Sequence, residues 1–93
     1  MRIEVMREPP AGDPLLQSLA ETYGDGAVGV VLSGTGGDGA VGLRSINEHG
    51  GLALVEDPAG TPYPGMPEAA LAAVNDALRL SLQGIAAHLA ALD

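Results

Sequence analysis

Cysteine, tryptophan, phenylalanine and lysine are all missing from this sequence, and tyrosine occurs only twice. Without cysteine there is neither a disulfide nor a thiolate metal site to reinforce a small fold. Without large aromatics the core must be assembled from Ala, Val, Leu and Ile, although hydrophobic residues still make up 46% of the chain. The only strong cations are Arg2, Arg7, Arg44 and Arg79, against 12 acids, for a net charge of −8. That balance excludes a nucleic-acid or anionic-membrane surface, since phosphate contacts need clustered cations. No apolar run approaches the roughly 18–20 residues of a membrane span, and the short apolar start of "MRIEVMREPP" is broken by charge, unlike a secretory leader. The expected location is therefore cytoplasmic.

At 93 residues the chain is one domain at most. A chain of this size buries on the order of 60–65% of its unfolded surface, which leaves its stability marginal unless a partner or further chain completes the core. "RIEVM" alternates as a short strand stopped by Pro9-Pro10. Asp13 and Pro14 are suited to the N-cap and first position of a helix whose stripe is Leu15, Leu16, Leu19 and Ala20, ending at Gly24. "AVGVVL", Ala27 to Leu32, is continuously apolar and β-branched, the pattern of a strand buried on both faces. A helix is expected from near Gly39 to Gly50-Gly51, with Leu43 and Ile46 inward. Then come a strand over Leu52–Val55, a loop over Ala59–Gly65, and a helix from Pro67 through Ala73. A short strand in "ALRL" and a closing helix over Leu82–Leu92 follow. The alternation predicts an α/β fold: three layers with a mostly parallel sheet, part of a doubly wound domain. The sheet is narrow for such apolar strands, so either an edge stays open or more protein pairs with it.

The chemistry concentrates in "VVLSGTGGDGAVGL", Val30 to Leu43. Gly34, Gly36 and Gly39 fit G-x-G-x-x-G between a strand and a helix, and Glu56 or Asp57 ends the next strand, as in dinucleotide sites. Asp38 opposes that use, because its carboxylate would lie beside the amides meant for a pyrophosphate. The residue types leave two readings of Asp38 open. It could be a helix N-cap, a role Asp fills well, or a carboxylate presented for chemistry at the C-terminal edge of the sheet, where open α/β sheets keep their sites.

"GVVLSGTGGDGAVGLRSINEHGG", followed by "LALVEDP" and "GMPEAAL", resembles the catalytic domain of the CheB-type protein-glutamate methylesterases of chemotaxis. The resemblance runs from about Leu15 to the C-terminus and is to the C-terminal part of that domain, so residues 1–93 are expected to form that part. It implies a doubly wound parallel sheet and hydrolysis of glutamate methyl esters on chemoreceptors without a cofactor. In the family the aspartate of G-x-D-G-A is the third member of a Ser-His-Asp triad, and it aligns with Asp38. The resemblance also places Gly34, Thr35 and Gly36 near the oxyanion position and Met66 near the cleft. Thr35 stands where the family has Met, and Glu56 where it has Gln. The family's Ser and His lie ahead of the matched region, so the isolated chain is expected to be inactive and to need a completing N-terminal half, or to self-associate.

The chain's own residues do not replace them. Ser33 ends a strand but lacks the G-x-S-x-G elbow. His49 is expected about 15 Å from the glycine turn, at roughly 1.5 Å per helical residue, too far to bond Ser33 or Asp38, and suited to the helix C-terminus. His88 has no acid partner nearby, and Ser18, Ser45 and Ser81 fall on or beside helices. Glu56, Asp57 and Asp38 form no metal-spaced motif, so no metal is expected. Met66-Pro67 also fits a buried Met at a helix start. Beside the esterase reading stand a non-catalytic binding or regulatory module on the same scaffold and, third, a nucleotide-binding unit.

Overall fold

The computed structural model describes residues 1–6, 12–33 and 39–92. In chain order the elements are β1 (Arg2–Met6), α1 (Gly12–Tyr23), β2 (Ala27–Val31), α2 (Ala40–Glu48), β3 (Leu52–Glu56), α3 (Gly65–Ala73), β4 (Leu78–Leu80) and α4 (Leu82–Ala90). The strands form one 4-stranded sheet in the order β1-β2-β3-β4, with every neighbouring pair parallel. The α/β reading with a parallel sheet holds.

Side-chain alternation divides the core into two layers. Ala27 and Val31 of β2, with Ala53 and Val55 of β3, pack against Leu16, Leu43, Ile46, Met66 and their neighbours on α1, α2 and α3. Val28 and Val30, with Leu54, face the other way and meet Ile85 of α4. All of β2 is buried, as its unbroken apolar sequence requires. Burying each of Leu16, Leu43 and Ile46 completely contributes about 1.5–3 kcal/mol. Gly29 lets α2 approach, since a Cβ there would come 2.5 Å from Ile46 Cδ1.

Element boundaries differ from expectation in two places that have a physical reason. The third helix starts at Gly65, not at Pro67. Proline is tolerated inside the first turn because those amides have no partner within the helix anyway. The second helix starts at Ala40, with Gly39 at its N-cap in a left-handed conformation, φ 94°. That conformation favours glycine, and the cap residue therefore has no side chain. Asp38 itself lies outside the described residues. The α1 start at Gly12 and the α4 end at Ala90 each lie two residues from the expected Pro14 and Leu92, within the fraying of helix termini.

Candidate functional site at the carboxyl edge of the sheet

Parallel strands put all their C-terminal ends on one edge, and the loops that leave it gather there. Gly34, Thr35, Gly36 and Asp38 lie outside the described residues. Ser33 follows the end of β2, and Gly39, whose added Cβ would touch Val31 Cγ2 at 3.4 Å, begins α2 against the same strand. Glu56, the last residue of β3, is 5% exposed, and its Oε1 accepts a hydrogen bond from the Ser33 amide at 2.7 Å. A carboxylate is buried at such a place only when it is hydrogen-bonded. Glu56 thus ties the exit of β2 to the exit of β3. The next residue extends the tie to β4, because the Asp57 amide donates to the Leu80 carbonyl at 2.8 Å.

Beyond this latch an open depression of about 350 Å³ is lined by Glu56, Asp57, Gly60, Ser81, Leu82 and Gln83. Asp57 Oδ1 accepts from the Ala59 amide at 3.0 Å, and Ser81 Oγ caps α4 by accepting from the Gly84 amide at 3.0 Å. Met66 is fully buried among the α1–α3 layer, so it supports the edge from within the core. Among the described residues no group of three His, Asp or Glu side chains is placed to hold a metal ion.

The two histidines do not join this edge. His49 caps the far end of α2, with Nδ1 2.7 Å from the Ser45 carbonyl oxygen, and its own carbonyl lies beside Gly24, ahead of β2. That is the N-terminal edge of the sheet, opposite Ser33, as the helix length predicts. His88 is part-buried in the last turn of α4. Sequence reasoning missed the Glu56 latch. Its one visible signal was a carboxylate ending the apolar run "LALV", where a solvent-facing residue would be ordinary.

A parallel α/β sheet with a glycine- and acid-bearing loop leaving its carboxyl edge defines a class of enzyme and nucleotide-binding scaffolds. Within that class the comparisons are specific. The profile of the CheB methylesterase family matches residues 2–89, and the chain belongs to that family. It is 46% identical over 64 residues to a protein-glutamate methylesterase/protein-glutamine glutaminase 3 of Anaeromyxobacter dehalogenans, covering 69% of this chain and 19% of that one. It is 42% identical over 84 residues to a putative enzyme of the same description from Leptospira interrogans, covering 90% of this chain and 44% of the other. The crystal structure of the Thermotoga maritima CheB methylesterase catalytic domain superposes with a TM-score of 0.78 at 28% identity, over 84% of this chain and 41% of that one. The chain therefore spans less than half the length of each of these relatives. Among the described residues no helix is long and apolar enough to cross a membrane.

Proposed function

We propose that this chain supplies the acid-bearing part of a protein-glutamate methylesterase site, with Asp38 as the carboxylate that orients and charges the catalytic imidazole. The nucleophilic serine and the histidine come from a segment that completes the domain. The serine hydroxyl adds to the γ-carbonyl of a glutamyl methyl ester while the imidazole takes its proton. The imidazolium, stabilised by Asp38, returns that proton to the departing methanol, and water then hydrolyses the acyl-enzyme to glutamate. The substrate class is a methylated chemoreceptor in the cytoplasm. No cofactor takes part. Several relatives are also named as glutamine glutaminases, and a glutamine side chain would pass through the same acyl intermediate with ammonia leaving.

Family membership supports this reading, and one observation carries it to Asp38. The N-cap position of α2 is Gly39 and not Asp38, which favours the chemical reading of that acid over the capping one. Thr35, Gly34 and Gly36 would border the oxyanion, and Met66 would back the cleft.

The test is Asp38→Asn in this chain combined with a Ser- and His-bearing half, assayed for methanol release from a methylated receptor. Turnover should fall by several powers of ten with the fold unchanged, by analogy with the protease triad in which the same substitution lowers turnover about 10⁴-fold. Unchanged turnover refutes the assignment. The chain alone should show no release above background.

A further inference from the structure

Among the described residues β1 is an edge strand, paired to β2 on one side only. Its side chains divide cleanly by register. Ile3 and Val5 lie beside Val28 and Val30, on the face that α4 covers, while Arg2 and Glu4 lie beside Ala27 and Gly29, on the α1 face. α4 packs mainly on β3 and β4 and reaches β2 through Ile85, while Ile3 and Val5 of β1 on the same face stay partly exposed. Met1, Ile3 and Val5 are 65%, 37% and 45% exposed. An open parallel-sheet edge with three apolar residues in alternation is a template for another strand, and edges that must stay unpaired usually carry an unmatched charge or a proline. Here the two charges match each other: Arg2 Nη2 lies 3.0 Å from Glu4 Oε1.

The sequence of this edge is complementary to itself. In an antiparallel pairing centred on Ile3, Ile3 faces Ile3 of a second copy, Met1 faces Val5, and Arg2 faces Glu4 on both sides of the centre. One face of the ribbon is then wholly apolar, and the other carries two opposed ion pairs. A two-fold axis through a residue pair is compatible with either class of antiparallel pair, so the pairing needs no bulge. We propose that β1 is a self-association edge whose occupant is β1 of a second copy of this chain, joined about a two-fold axis at Ile3 into one continuous sheet. Cross-strand pairs of these types are the unit of sheet stabilisation, and the charge pairs also fix the register.

The absence of cysteine makes the register directly testable. At the two-fold the Cα atoms of position 3 would lie about 4.5–5.5 Å apart, within the roughly 4.4–6.8 Å a disulfide spans. Position 5 would be four residues out of register with its counterpart, about 13–14 Å away. Under mild oxidation Ile3→Cys should become a covalent dimer while Val5→Cys stays uncrosslinked. Sedimentation of the unmodified chain should show a monomer–dimer equilibrium. Ile3→Lys, which sets like charges at the axis, should weaken it by about tenfold or more, as charges on an edge strand do. Arg2→Glu should weaken it as well, and the double swap Arg2→Glu/Glu4→Arg should restore it, because each acid again faces an arginine. Circular dichroism of each variant confirms the fold, and none of these positions belongs to the buried core. The proposal is overturned if the chain sediments as a monomer at every concentration reached, if Val5→Cys crosslinks as readily as Ile3→Cys, or if the dimer ignores Ile3→Lys. It is also overturned if the edge proves to bind only a Ser- and His-bearing half, seen as a monomeric chain whose binding of that half Ile3→Lys abolishes.

Discussion

Removing the carboxylate of Glu56 tests whether one buried side chain holds the two strand exits that frame the acid-bearing loop. Glu56 is 5% exposed and receives the Ser33 amide at 2.7 Å. A hydrogen bond to a charged group contributes about 1.5–3 kcal/mol. Glu56→Ala should therefore raise the local opening of Ser33, and with it the hydrogen-exchange rate of its amide, by about 10- to 100-fold at 1.4 kcal/mol per decade. Global stability should fall by less, because deleting a buried carboxylate also removes its desolvation penalty. The residue-resolved rate, measured by nuclear magnetic resonance, is thus the decisive quantity, and the melting temperature is a control. Glu56→Gln keeps a carbonyl acceptor at the same reach, with a neutral bond about half as strong, so its acceleration should stay under about tenfold. If Ser33 exchanges equally fast in the parent and in Glu56→Ala, the latch contributes nothing. If Gln performs as badly as Ala, acceptor geometry is not what matters.

Gly51→Ala should lower stability by at least about 2 kcal/mol, or about 8–16 °C in melting temperature. Its Cβ would lie 2.6 Å from the Ala27 carbonyl oxygen, and backbone cannot yield as a flexible side chain does. Gly60→Ala, with nothing within 4 Å, is the control and should melt close to the parent. Ser81→Ala should cost about 1 kcal/mol and about 4–8 °C by removing the α4 cap, and Ser81→Asp should retain most of it. Asp38→Ala should leave the melting temperature nearly unchanged, since the cap position belongs to Gly39; a loss as large as that of Ser81→Ala would return Asp38 to a capping role.

Elements whose sequence carries its own periodicity were legible. β2 and β3 show unbroken apolar runs, α2 shows Leu43 and Ile46 one turn apart, and each of these lies where the pattern predicts. The start of α3 was misplaced because Pro67 is equally acceptable at the first helical position and within the first turn. The N-cap of α2 was not legible because two adjacent residues both suit helix starts, and the left-handed backbone that marks Gly39 is a property of the folded chain. The tie between Ser33 and Glu56 was invisible for a different reason. It joins residues 23 apart and exists only because β2 and β3 lie side by side in one parallel register. Nor can alternation alone tell an edge strand from a central one, so the bare face of β1 emerged only with the strand order.

Pairing two copies through β1 and completing an esterase site are separate events, and the geometry says why. An antiparallel β1 pair reverses the strand direction across the two-fold, so the carboxyl edges of the two sheets point to opposite ends of the joint sheet. With the two-fold at Ile3, Met6 at the end of β1 is six residues out of register with its counterpart, so those edges lie about 20 Å apart at the seam. Ser33 of one copy therefore lies at the opposite end of the joint sheet from Ser33 of the other, and both histidines lie away from the carboxyl edge of their own sheet. A dimer of this chain therefore assembles no nucleophile–imidazole pair among the described residues. In the function proposed above, the nucleophile and the imidazole come from a different segment. Loss of the dimer in Ile3→Lys should consequently leave the stability of the Glu56 latch untouched, because the latch lies at the β2–β3 seam and shares no residue with the β1 edge.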